Sequence, residues 1–182
     1  ISFEFVDLGG GFGIPYNKKD KIIDIKNYAK LVQTFKNKLN CKIIFEPGRF
    51  IIGDTGTLIS KVVFVKKSGK KYFIIIDAGM NDFIRPALYS AKHEIIPVVK
   101  SKKRINGNVE FVGPICESSD TFLKYKNFTS VNEGSLVAIT NVGAYGSTLS
   151  SNYNTRPLAA EIIIKKGQIK VIRKRQKISE II

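Results

Sequence analysis

The hydrophobic periodicity of this chain changes once along its length, and that change limits what the chain can fold into. After Asp24, apolar residues recur at three- and four-residue spacing as Ile25, Tyr28, Ala29, Val32, Phe35 and Leu39, with lysines between them. Such spacing lays one stripe along one face of a helix, and Asp24 stands where an N-cap belongs. Short apolar runs flank it, Phe3 to Leu8 before and Ile43 to Phe45 after. Strand, helix and strand in this order predict a βαβ unit with parallel strands and a right-handed crossover.

Past Gly53-Asp54-Thr55-Gly56-Thr57 the helical period gives way to short β-branched and aromatic runs. Val62 to Val65, Tyr72 to Ile76, Ile95 to Val99, Leu136 to Thr140, Ile162 to Ile164 and Lys170 to Ile172 predict an all-β second half. Leu58 to Val65 reads as starting in helix and finishing in strand. A lone parallel pair needs cover on both faces. With a first residue of Ile1 rather than Met, the sequence is therefore expected to be a fragment that continues upstream.

Composition narrows the class. At 182 residues, 43% hydrophobic and 25% charged, the chain has the balance of a globular protein with one sizeable core. No apolar run reaches the roughly 20 residues that span a bilayer, and no secretory leader is visible. The expected location is the cytoplasm, with no membrane partner. Cys41 and Cys116 lack the spacing of a metal or redox pair, and His93 alone cannot make a metal site.

The net charge of +15, from 30 basic and 15 acidic side chains, attracts anions. The basic clusters Lys66-Lys67-Ser68-Gly69-Lys70-Lys71 and Lys165-Lys166-Gly167 each join two apolar runs and read as solvated hairpin turns. Lys102-Lys103-Arg104 and Arg173-Lys174-Arg175 read the same way. No aromatic stacking pattern accompanies them, so nucleic acid is not the expected partner.

Two of the predicted strands end in chemistry. The first runs into Gly9-Gly10-Gly11-Phe12-Gly13, whose bare backbone can approach an anion, and the second into Glu46-Pro47-Gly48-Arg49. A carboxylate at a strand end can keep a heterocyclic nitrogen protonated, and an arginine fork suits phosphate or carboxylate. A plain ion pair between Glu46 and Arg49 is the ordinary alternative. Taken singly, Arg85 before Pro86 fits a solvated turn, Tyr89 and Tyr145 fit the edge of a core, and Cys116 fits an inert buried thiol.

The same motifs, followed in order by Asp77-Ala78-Gly79-Met80-Asn81-Asp82, Arg85-Pro86-Ala87-Leu88-Tyr89, Gly113-Pro114-Ile115-Cys116-Glu117-Ser118-Ser119-Asp120 and Gly143-Ala144-Tyr145-Gly146, resemble the alanine-racemase-type amino-acid decarboxylases that use pyridoxal 5'-phosphate. The resemblance runs nearly end to end. Glu117 after Cys116, where the ornithine and arginine branches typically carry Asp, makes it similar to the diaminopimelate branch of that family.

This resemblance implies a fold and a set of roles. The fold would be the C-terminal end of a TIM-type (β/α)8 barrel over residues 1–57, followed by a Greek-key β-sandwich or barrel over 58–182. Gly9, Gly10, Gly11, the Gly48-Arg49 turn and Tyr145 would hold the cofactor phosphate, with Glu46 at the pyridinium nitrogen. Arg49, Arg85 and Tyr89 would receive the far carboxylate of the substrate. Cys116 would handle the returning proton and Glu117 the distal ammonium, both supplied by the neighbouring subunit of a homodimer.

The implied reaction is decarboxylation of meso-2,6-diaminopimelate to L-lysine and CO2, the last step of lysine biosynthesis. The lysine that carries the cofactor as a Schiff base, and the histidine that stacks on its ring, have no counterparts here, so the fragment alone is expected to be inactive. Alternatives are a decarboxylase of ornithine, arginine or carboxynorspermidine, a noncatalytic module that binds anions or nucleic acid, and a silent partner of an active homologue.

Overall fold

The computed structural model describes residues 2–17 and 19–182. Ile1, the first residue of the expected barrel segment, lies outside them. Strand β1 (Phe5–Asp7), helix α1 (Ile25–Leu39) and strand β2 (Lys42–Ile44) form the βαβ unit, with β1 and β2 parallel and Val6 opposite Ile43. Asp24 caps α1 by accepting from the Asn27 N–H at 3.0 Å, and Asn40 ends it in the left-handed conformation. A short helix, α2 (Arg49–Ile52), follows, and one 3-10 turn (Gly53–Thr55) leads out of the unit.

Next come β3 (Thr57–Ser68), β4 (Lys71–Ile76), helix α3 (Arg85–Tyr89), β5 (Ile95–Pro97), β6 (Arg104–Val112), β7 (Thr121–Thr129) and β8 (Leu136–Thr140). The six strands form one mixed sheet in the order β5-β8-β3-β4-β6-β7. The segment from Leu58 is strand throughout, not helix followed by strand. Its first half pairs with β8 and its second with β4, so the 12-residue β3 changes partner in mid-course. A register shift between Val62 and Phe64 marks the change, and such a bulge bends the strand. Pairing on both sides overrides the local preference.

The sequence reading also missed β6 and β7. Asn106-Gly107-Asn108 looks like a turn, but it is a bulge inside β6: Gly107 has φ +135°, and its N–H donates to Asn127 Oδ1 at 2.9 Å. The curled sheet is joined at its edges by one side chain. The Tyr125 hydroxyl on β7 accepts from Ile95 N–H at 2.7 Å and donates to Ile95 C=O at 3.1 Å, so it takes the place of a ladder bond to β5. Burial pushes the Tyr125 phenol up to about 12, so it stays protonated and able to donate.

Inside this curl lies the core, formed by Val62, Ile74, Ile76, Phe83, Val109, Phe111, Val137 and Ile139. Strands β9 (Glu161–Lys165) and β10 (Gln168–Arg173) make a separate antiparallel hairpin through Lys166-Gly167, both at positive φ. The Lys66 to Lys71 cluster is the β3–β4 hairpin, with Gly69 at φ +58° in its turn. Among the described residues, no helix is long and apolar enough to cross a membrane.

Candidate functional site

The site begins where β1 and β2 end. Asp7, the last residue of β1, accepts the Gly9 N–H at 2.7 Å, and Glu46 N–H donates to Gly9 C=O at 2.9 Å. A side chain on Gly10 would collide with the Glu46 carbonyl, so the glycine loop and the Glu46 turn lie backbone to backbone. Two of the three glycines therefore have structural roles. Gly9 has no free N–H for an anion, and Gly10 permits the close approach. Gly11, at φ +83°, lines a cleft of about 970 Å³.

The sheet supplies the opposite wall. A polar knot steadies it: Asp77 accepts from Ser60 Oγ at 2.6 Å and Lys61 N–H at 2.8 Å, and Ser60 Oγ accepts from Ala78 N–H at 3.0 Å. The turn from Asp77 to Asp82 then leads into α3, where Pro86 sits in the first turn and Ser90 closes the helix in the left-handed conformation. Arg85 is 7% exposed, which excludes a solvated turn. Its guanidinium carbon lies 5.4 Å from the Tyr89 ring and 5.6 Å from the Tyr145 ring.

Close backbone contact holds the two walls together. Gly143 N–H donates to Gly53 C=O and Val142 N–H to Gly56 C=O, each at 3.0 Å. A side chain on Gly143 would strike the Ile52 carbonyl, and one on Gly56 would strike Gly143. This contact brings Tyr145, at φ +64°, over Gly48. The cleft so formed is lined by Gly11, Glu46, Gly48, Arg49, Arg85, Tyr89 and Tyr145, all singled out from sequence.

Two residues that the sequence reading left without a role complete the arrangement. Tyr16 lines the cleft, and its oxygen accepts from Arg49 Nη1 at 3.1 Å and Arg85 Nη2 at 3.4 Å. His93 is 2% exposed and lies under Arg85. Its Nδ1 is 3.0 Å from the Thr140 carbonyl and must donate there, which leaves the Nε2 lone pair to accept from Arg85 Nε at 3.5 Å. Burial holds the imidazole below its usual value, and the nearby Arg85 and Arg49 charges act in the same direction, so it is neutral.

Among the described residues, neither Arg49 nor Arg85 lies within 4.0 Å of a carboxylate oxygen. The cleft thus presents two guanidiniums without a carboxylate in ion-pair contact, the Lys92 side chain and three tyrosines, Tyr16, Tyr89 and Tyr145. It also presents two carboxylates, Glu46 and Asp20, the latter held by the Tyr16 and Asn17 N–H groups. That donor set matches an anionic ligand that also carries a protonated nitrogen.

Cys116 and Glu117 are not among the residues that line the cleft. Their loop is built around Asp120, whose carboxylate accepts from Met80 N–H and Ile115 N–H at 2.7 Å each. Burial raises the Asp120 carboxyl against the pull of these two bonds. The loop holds Cys116 and Glu117 outward and exposed, with Tyr153 donating to Glu117 Oε2 at 3.3 Å. The thiol is therefore exposed and not buried. Arg156, also missed in sequence, braces the same region through Asn81 Oδ1 at 3.0 Å and Asp82 at 3.6 Å. No local motif announces it, because these partners lie some 75 residues upstream in the chain.

A βαβ unit joined to a mixed sheet, with an anion-seeking cleft at the strand ends, defines an α/β-plus-sheet class of protein. Residues 17–143 match the family of the pyridoxal-dependent decarboxylase C-terminal sheet domain, and the chain belongs to that family. It is 44% identical to a diaminopimelate decarboxylase of Aquifex aeolicus over 97% of this chain and 42% of that one. It is also 44% identical to one of Helicobacter pylori over 100% of this chain and 44% of that one. The crystal structure of diaminopimelate decarboxylase from H. pylori complexed with L-lysine matches with a TM-score of 0.89 at 43% identity, over 98% of this chain and 43% of that one. The chain thus spans less than half the length of the relatives it matches.

Proposed function

We propose that this chain is the C-terminal portion of a pyridoxal-phosphate-dependent decarboxylase that converts meso-diaminopimelate to L-lysine and CO2. Residues 1–57 are the last strands of a TIM-type barrel and 58–182 the sheet domain of a cytoplasmic homodimer. The observation that carries this reading is the cleft itself, where Arg49 and Arg85 converge from opposite walls without a carboxylate in ion-pair contact while Glu46 lines the same cleft. Pyridoxal phosphate bound there supplies the electron sink for loss of CO2.

The chain's own residues hold and orient. Gly11, the Gly48-Arg49 turn and Tyr145 receive the phosphate, and Gly10 keeps the loop close enough to Glu46 to shape that pocket. The Glu46 carboxylate would hold the ring nitrogen of the cofactor in its protonated form. Arg49, Arg85 and Tyr89 take the far carboxylate of the substrate, which a planar fork distinguishes from a bare alkyl end. Cys116 and Glu117 complete the cleft of the neighbouring subunit, the thiol for the returning proton and the carboxylate for the distal ammonium. Their place outside this chain's own cleft supports the dimer.

The test is turnover by the complete gene product that carries this chain, loaded with pyridoxal phosphate and offered meso-diaminopimelate, ornithine and arginine separately. L-Lysine formed from the first, and lost in Glu117→Ala, is the expected result. Turnover of ornithine or arginine in its place would move the protein to another branch of the family.

A further inference from the structure

We propose that Tyr16 is a substrate-binding residue of the cleft, seating the guanidiniums of Arg49 and Arg85 side by side and donating its own proton to the oxyanion they receive. This rests on the function proposed above, which makes that oxyanion the far carboxylate of the substrate. A phenol has two acceptor lone pairs and one O–H. Arg49 Nη1 at 3.1 Å and Arg85 Nη2 at 3.4 Å occupy both lone pairs. The proton must then point away from both cations, and the side chain lines the cleft.

Tyr16 is also held in place. Its backbone N–H donates to Asp20 Oδ2 at 2.8 Å, and its ring stands edge-on to His93 with centroids 4.9 Å apart. The Arg49 guanidinium lies 5.9 Å from the ring centroid. From below, His93 Nε2 accepts from Arg85 Nε and fixes the other guanidinium. Two cations meet at one neutral oxygen, and without an anion their mutual repulsion is unrelieved. A carboxylate set against them completes the arrangement, with three donors from three separate parts of the chain.

Tyr16 follows the glycine loop, Arg49 ends the second strand turn, and Arg85 comes from the sheet domain, so the hydroxyl ties both walls of the cleft to one ligand. The carboxylate of a substrate and the phosphate of the cofactor are both oxyanions, and the experiment separates them. The complete gene product and its Tyr16→Phe variant are titrated with three probes: L-lysine, which keeps a carboxylate; cadaverine, which has none; and pyridoxal phosphate.

Loss of one hydrogen bond to a charged group weakens L-lysine binding about tenfold to a hundredfold, with cadaverine and pyridoxal phosphate unchanged. The KM for meso-diaminopimelate rises by a similar factor while kcat holds. Equal weakening of L-lysine and cadaverine, or no weakening of either, overturns the role of Tyr16. Weakened pyridoxal phosphate with unchanged L-lysine overturns it too, by assigning the oxyanion to the cofactor. Failure of the unaltered protein to bind L-lysine sinks instead the reading of the cleft on which this rests.

Discussion

Before β3, only Cys41 and Gly53 are buried among the described residues, whereas the six-stranded sheet that follows surrounds side chains at 0–1% exposure. Both regions are rich in large apolar residues. The difference lies in what they face. In the sheet, alternate residues of β3, β4, β6 and β8 converge on one core. In the βαβ unit, Phe5, Ile25, Leu31 and Ile44 remain 41–70% exposed, because two parallel strands and one helix cannot cover each other's faces. The cleft lies on the seam, so one wall is rigid and the other depends on contacts made across it.

The largest expected effect breaks the stronger side. Phe111→Ala, at a fully buried position, is expected to cost about 3–5 kcal/mol in urea unfolding. Gly143→Ala attacks the seam, where the added methyl meets the Ile52 carbonyl. An overpacked contact of this kind costs about 1–3 kcal/mol, and L-lysine binding should fall with it as Tyr145 shifts from Gly48. Asp24→Ala removes the cap of α1 and should cost about 1 kcal/mol, read from the helical circular-dichroism signal.

His93 sharpens the comparison through pH. Burial holds its folded-state pKa below the ordinary histidine range, so the unfolded chain binds the proton more readily. Stability from this residue is present above about pH 6.5 and is lost as pH falls toward the folded value. Urea midpoints of the unaltered protein should drop on mild acidification more than those of His93→Gln. The smallest effect belongs to Leu31→Ala: at 70% exposure, this change on α1 should stay within about 0.5 kcal/mol.

The two regions also differ in how far their sequences disclosed them. Helix α1 was legible in full from its stripe and its Asp24 cap, because a surface helix is governed by local periodicity. Strands β4 and β8 were legible from their continuous apolar runs. Strand β6 was not, since the bulge at Gly107 mimics a turn, and the start of β3 was misread because its pairing with β8 lies far away in sequence. In the cleft, Glu46, Arg49, Arg85 and Tyr145 stand in recognisable strings. Tyr16 and His93 are joined to the site by arginines that the fold delivers from elsewhere, and a lone tyrosine or histidine carries no pattern.

A ligand held by Arg49 and Arg85 binds on this seam. Amide hydrogen exchange of the complete gene product, with and without pyridoxal phosphate plus L-lysine, tests this directly. Added protection in the segments 9–16, 46–52 and 85–89, with none in the β9–β10 hairpin, is the predicted result. Protection confined to the hairpin or to the core strands, with the seam unchanged, would contradict it.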